Sequence, residues 1–180
     1  MTMERGIGVV GIRMRYFDYI FESQSVKVFI KRPEQCTEKE KKTFIDLVIS
    51  GKQNTESHVR NSFDELIWVG LLYDGDEIKA VSSLKDGDER VFNRAGVEDV
   101  ADEYPYEVGF SFTDPNSRGK GYNTILKKKL FAKVGNRGIY STIRINNTAS
   151  IAVNKKLGFV PMGKPYRGIV TDVQLFVMGE

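Results

Sequence analysis

The sequence predicts one mixed α/β domain, a central sheet flanked by helices, and three observations carry that prediction. The chain has 180 residues, 41% of them apolar and 11% aromatic, which suits a single core, since one domain commonly takes roughly 100–200 residues. Two apolar strands flank Asp74-Gly75, the strongest short hairpin signal, so antiparallel pairing is expected early in the chain. Later the pattern changes to strand–helix–strand units. No internal repeat, low-complexity tract or Pro/Ser-rich linker marks a second domain. Residues 1–180 are expected to form one unit, with 1–24 as an N-terminal extension.

In order, Val26 to Ile30 reads as a strand, Val26, Val28 and Ile30 alternating with Lys27 and Phe29. Thr37-Glu38-Lys39-Glu40 is a capping box. It opens a helix carrying Phe44, Ile45, Val48 and Ile49, which Gly51 ends. From Thr55 to Leu66, Val59, Phe63 and Leu66 share one face of a second helix. Strands follow at Ile67–Tyr73 and Ile78–Leu84. Asp86 to Pro105 holds seven acidic residues against two arginines and reads as an acidic surface insertion, 86–105. Tyr106–Thr113 is a further strand. A glycine-containing turn then leads into a helix with Tyr122, Ile125, Leu126, Leu130 and Val134 on the buried stripe and Gly135 past its end. Ile139–Ile145 alternates as a strand, Thr148–Leu157 is helical, and Val170–Met178 closes as a strand.

The formal charge of +3 conceals a segregation. From Pro115 to Thr171 there are twelve basic residues and no Asp or Glu, while the remainder carries 15 basic against 24 acidic groups. An acid-free block of that size implies an anionic partner. Cys36 is the single cysteine and His58 the single histidine, which excludes a disulfide scaffold and a structural zinc site; no metal is expected. Arg5, Arg13, Arg15 and Asp18 interrupt the apolar start. No uncharged run reaches the roughly 18 residues of a membrane span, and no cleavage site follows a clean apolar core, so the expected location is cytoplasmic, without a membrane partner.

Two glycine motifs call for opposite readings. Gly6-x-Gly8-x-x-Gly11 matches the dinucleotide fingerprint in letters, but five residues cannot supply the strand that must precede it, so it reads as a flexible or bulged start. Asn116-Ser117-Arg118-Gly119-Lys120-Gly121-Tyr122-Asn123 lies between a strand and an amphipathic helix. Its glycines allow a tight turn and close approach, and the first helical amides point outward, which makes an anion cradle. The Walker spacing is missing, so the phosphate belongs to a cofactor rather than to transferable ATP.

Here the chain resembles the GCN5-related N-acetyltransferase (GNAT) family. Arg118-Gly119-Lys120-Gly121-Tyr122-Asn123 fits the family's signature except that Asn123 replaces a small residue. Tyr106 to Pro115 is similar to the family's fourth strand and its exit. Asn147 to Phe159, ending in Lys-Leu-Gly-Phe, is similar to its later helix. The resemblance implies a mostly antiparallel sheet, splayed at the cofactor site, and acetyl-CoA as cofactor. It implies that the amides of Arg118, Gly119, Lys120, Gly121, Tyr122 and Asn123 bind the pyrophosphate. Phe112 and Thr113 would pair with the pantetheine arm, and Asn147 and Asn154 would lie beside the cofactor. Lys127, Lys128 and Lys129 occupy successive helix positions that cannot all face one ligand, and the run reads as a solvated face.

The implied reaction is direct attack of a primary amine on the thioester in a ternary complex. Glu107 stands where relatives carry a general base, and a structural ion pair is the alternative reading. Asn154 stands where many relatives carry a Tyr that protonates the departing sulfur. An amide can hydrogen-bond a thiolate but cannot protonate it. With a thiol pKa of ~8.5 the mechanism is weakened rather than abolished. Tyr122, Tyr140 and Tyr166 are substitutes that sequence does not rank. His58 reads as a surface histidine and Cys36 as a buried small residue.

The acceptor side is expected from Lys52 to Glu56, the acidic insertion and a loop at Gly163–Gly168. An insertion bordering the cleft would favour a cationic amine, on a small molecule or a protein. Two rivals stay open: a nucleic-acid-associated acetyltransferase acting on tRNA or a modified base, and a catalytically weakened CoA-binding module. A homodimer is likewise left open.

Overall fold

The structure, a computed structural model, describes residues 26–178. The glycines at 6, 8 and 11 and the extension at 1–24 lie outside the described residues. The strands are β1 (Val26–Lys31), β2 (Trp68–Asp74), β3 (Glu77–Asp86), β4 (Tyr106–Thr113), β5 (Ile139–Arg144), β6 (Phe159–Arg167) and β7 (Asp172–Met178). The helices are α1 (Glu38–Ser50), α2 (Glu56–Phe63), α3 (Glu89–Ala95), α4 (Tyr122–Phe131) and α5 (Thr148–Lys156). All seven strands join one sheet in the order β1-β2-β3-β4-β5-β7-β6. Neighbours are antiparallel except β4 and β5. This is the mixed, mostly antiparallel sheet that the sequence predicts.

Local signals act where the sequence places them. Thr37 Oγ1 accepts the Glu40 amide at 3.2 Å and the Glu40 carboxylate accepts the Thr37 amide at 2.8 Å, so the capping box closes. The same carboxylate takes Lys31 Nζ at 2.7 Å and the Tyr73 hydroxyl at 2.9 Å, which ties the start of α1 to β1 and β2. Asp74 pairs with Glu77 across the hairpin. On β2 successive residues face opposite layers: Leu71 packs with Phe44, Val59 and Phe63 of α1 and α2, and Leu72 with Tyr122 and Leu126 of α4. The sheet is thus buried between two helical layers.

The structure adds to or corrects the sequence reading at four places. Residues 86–105, where the sequence reading names no helix or strand, form α3 and a 3-10 turn at Glu98–Glu103. Phe92 and Ala95 bury themselves against Tyr140, Leu175 and Val177, while Glu89 on α3 and Glu98, Asp99, Asp102 and Glu103 of the turn stay exposed. The expected loop at Gly163–Gly168 belongs mostly to β6. Pro161, Gly163 and Pro165 hide that strand in the sequence, and they are tolerated because β6 is an edge with a register shift between Met162 and Tyr166. On α4, Ile125 is exposed. In its place the buried stripe includes Lys127 and Phe131, a rotation of the helix that puts Lys127 inside and leaves Lys128 and Lys129 outside.

Gly163 shows how tightly the acidic segment is seated. Its φ is +62°, and a Cβ there would lie 2.5 Å from the Ala95 carbonyl oxygen at the end of α3. Gly163→Ala is expected to force α3 away from β6 and strain the backbone, costing roughly 2–3 kcal/mol in urea unfolding. A loss below about 0.5 kcal/mol would mean that α3 is not held against β6.

Candidate active site

The site arises from a failure of pairing between β4 and β5. They pair only at Tyr106–Ile139 and Glu107–Tyr140. Beyond that rung β4 follows β3 out to Thr113, and β5 follows β7 out to Arg144, so the sheet opens as a wedge. The bend lies in β4, where Phe110 and Ser111 together face the single residue Ser82 of β3. Phe110 has φ +45°, a strain of about 1–3 kcal/mol for a non-glycine residue. The turn sends Val108 into the cluster under α4 and Phe110 into the cluster under α1 and α2. Packing on both sides holds the bulge in place.

A cleft of about 600 Å³ lies at the open end of the wedge, lined by the end of β4 but by no residue of β5 and not by Glu107. One wall is the end of β4, Ser111 to Thr113; a second is Ser117 to Thr124; a third is the outer turns of α5, with Asn147, Ser150, Val153 and Lys156. The α1–α2 connection, Gly51 to Asn54, forms the fourth. Arg144 at the end of β5 reaches across to donate to the Gln53 carbonyl at 2.9 Å and so fixes that connection. Lys52, Arg118 and Lys156 line the cleft, and no carboxylate does. Gly119 and Gly121 have φ +81° and +75°, and a Cβ at either would meet nothing within 4 Å. Gly121 is the N-cap of α4 without a side-chain cap, leaving the first-turn amides of Tyr122, Asn123 and Thr124 without intrahelical partners. This is an open amide cradle with a positive helix end behind it, fitted to a phosphorylated ligand.

Of the residues expected to bind cofactor, Phe112, Thr113, Arg118, Gly119, Gly121, Tyr122, Asn123 and Asn147 line this cleft. Arg118 lies over the Phe112 ring at 5.5 Å, and Asn147 caps α5 by accepting the Ser150 amide at 3.2 Å. The Lys120 side chain instead pairs with Asp74 at 3.2 Å. Tyr122 also gives its hydroxyl hydrogen to Asp74. Asn154 is fully buried and outside the lining; its Oδ1 accepts Lys127 Nζ at 2.8 Å.

Glu107 lies at the apex of the wedge, on the last β4–β5 rung. It is buried, and Lys85 Nζ stands 3.0 Å away. Thr142 donates to it at 3.1 Å and Tyr140 at 3.4 Å. The Tyr140 hydroxyl accepts the Asp88 amide at 2.7 Å, so the acidic segment borders this end of the site. Burial and then the Glu107 charge push the Tyr140 hydroxyl well above its ordinary value. The same causes push Tyr166 up to about 12. Both phenols stay protonated at neutral pH. His58 is exposed and meets the Phe110 ring edge-on at 5.5 Å, next to the bulge despite its distance in sequence. Cys36 is half-buried, its thiol pushed up to about 11 by burial, so it offers no thiolate.

Lys127 is the residue that sequence reasoning missed. It is 2% exposed, and burial alone lowers its ammonium to about 8. The available signal was helical phase: Lys127 directly follows Leu126 and precedes Phe131 by four, both buried.

The model of the Acetyltransferase (GNAT) family matches residues 33–159, well over half of the chain. The chain belongs to the GNAT family. No curated protein sequence matches it at a significant level. Solved GNAT-like structures share the fold. Escherichia coli ElaA superposes with a TM-score of 0.60 at 12% identity, over 84% of this chain and 99% of ElaA. The yncA protein of Salmonella typhimurium, solved with its cofactor acetyl-CoA, gives 0.57 at 15% identity, over 85% of this chain and 92% of that one. A chain of the NatC complex, bound to Gag peptide and CoA, gives 0.64 at 14% identity, over 87% of this chain and 100% of that one. This GNAT protein is an acetyltransferase, and the family's acetyl donor is acetyl-CoA. Among the described residues no helix is long and apolar enough to cross a membrane.

Proposed function

We propose that this GNAT protein moves the acetyl group of acetyl-CoA to a primary amine by direct attack in a ternary complex. The observation that carries the reading is the wedge itself: an amide cradle at one end, a free β4 edge between, and a buried carboxylate at the apex. Acetyl-CoA supplies an activated acyl group and a thiol leaving group. The amides of Gly119 to Asn123, with Arg118 and Lys156, bind its phosphates. The unpaired edge of Ser111 to Thr113 takes an extended pantetheine arm as an added strand. Glu107 accepts the proton of the attacking amine, directly or through water, and Lys85, Thr142 and Tyr140 fix its orientation.

The acceptor amine enters on the Glu107 side, bordered by the acidic segment through Asp88 and Tyr140. A cationic amine, on a small molecule or a protein, suits that border. The cofactor reading also accounts for two of the twelve basic residues of the acid-free block, because Arg118 and Lys156 face the cleft. Calorimetry of the full chain with acetyl-CoA is expected to give one binding site, and an amine panel followed by mass spectrometry to give N-acetylated product. Absence of binding in a folded sample would overturn the proposal.

A further inference from the structure

Lys127 is a buried cation with no carboxylate beside it. Among the described residues its one hydrogen-bond partner is Asn154 Oδ1, and the other end of that amide, Nδ2, is buried without any partner. An ammonium taken out of water without a counter-ion is costly, and so is a buried N–H donor left unmatched. The two costs fall at one place, and both groups are hydrogen-bond donors. Such a pair suits an incoming anion.

The helices locate that anion. Lys127 follows the cleft-lining residues Asn123 and Thr124 by four and three positions, and Asn154 follows Asn147 and Ser150 by seven and four. Those spacings share a helix face, so both lining stripes lead to the Lys127–Asn154 pair, at the seam of α4 and α5. α4 forms the crossover between the parallel strands β4 and β5, so it runs back toward the apex of the wedge. Five residues carry Lys127 roughly 7–8 Å beyond the cradle in that direction, from the phosphate end toward the reacting end.

We propose that Lys127, held by Asn154, receives the departing sulfur in acetyl transfer, stabilising the thiolate and giving it a proton. The inference rests on the acetyl-CoA and amine reading. The amine lone pair forms the C–N bond, and the C–S pair leaves on sulfur. One proton passes from Nζ to sulfur, yielding free thiol and neutral Lys127. Lys127 regains a proton from solvent, matching the one that the acceptor nitrogen loses. An ammonium lowered to about 8 lies close to the ~8.5 of a thiol, so the transfer is nearly balanced. Asn154 then orients the acid and adds a donor to the sulfur; it is a positioning residue, which removes the difficulty that an amide cannot protonate.

The test titrates the thiol of CoA bound to the full chain, read by thiolate ultraviolet absorbance, in wild type and Lys127→Met. In wild type the bound thiol is expected about one unit or more below free CoA, and in K127M close to the free value. CoA affinity should change less than about threefold. Turnover in K127M should fall roughly tenfold, and the wild-type loss of kcat as pH rises through about 8, where Lys127 gives up its proton, should vanish. K127M leaves both ends of Asn154 unmatched, so K127M/N154L supplies a second variant with an apolar seam if the first folds poorly. A bound thiol that titrates alike in wild type and variant overturns this inference alone. Failure of wild type to bind CoA overturns the acetyl-CoA reading and this one with it.

Discussion

Gly121→Val is expected to weaken CoA binding at least about a hundredfold, a loss of about 2.7 kcal/mol, in a chain that still folds. A Cβ at Gly121 meets no protein atom within 4 Å, and Gly121 lines the cleft. The added methyls therefore fill space that belongs to the ligand. The φ of +75° also suits a β-branched residue badly, by about 1–2 kcal/mol, and relief of that strain would turn the first amides of α4 away from the phosphates. Gly75→Val separates the two effects. Gly75 has φ +63° and equally open surroundings, but it sits in the β2–β3 hairpin, outside the cleft lining. It should show a similar loss in urea unfolding with CoA affinity unchanged in calorimetry. If G121V binds CoA like wild type, the phosphates do not lie at this helix end.

The same contrast explains what could be read from the sequence. Features fixed by adjacent residues were legible: Thr37 with Glu40, the Asp74-Gly75 turn, and the glycines at 119 and 121 each work through their own backbone. Features fixed by partners distant in sequence were not. Nothing near Phe110 announces its positive φ, because the bulge follows from the pull of the clusters under α1 and under α4 on neighbouring residues. β6 escaped because Pro161, Gly163 and Pro165 are strand-breaking letters that only an edge position excuses. Lys127 looked like part of a solvated run, and its burial depends on α5 arriving with Asn154. Asn154 was read from its position as a donor to the thiolate that cannot protonate it, and nothing in its neighbourhood announces that it is buried with its Oδ1 on Lys127. The placement of His58 beside Phe110 likewise has no trace in its own neighbourhood.

Glu107→Gln is expected to lower kcat by roughly a hundredfold to a thousandfold with CoA affinity unchanged, within the usual range for loss of a general base. The substitution preserves shape: a Gln oxygen still accepts from Thr142 and Lys85, so the apex rung should persist. What disappears is the capacity to take a proton from the acceptor. A primary amine with a pKa near ~10.4 is almost wholly protonated at neutral pH. Without Glu107 the reaction relies on the small free-base fraction, which grows about tenfold per pH unit below that value. The variant should therefore recover as pH rises to about 8, where Lys127 gives up its proton in variant and wild type alike, and its deficit against wild type should go on narrowing toward pH ~10. The ion-pair reading gives the opposite pattern. If Glu107 serves only Lys85, then E107Q and Lys85→Met should lower stability by similar amounts, and both should keep kcat within about threefold of wild type. A buried carboxylate serving only a half-exposed lysine could be replaced at modest cost. One that takes a proton in each turnover could not, so the ratio of lost kcat to lost stability in E107Q distinguishes the two.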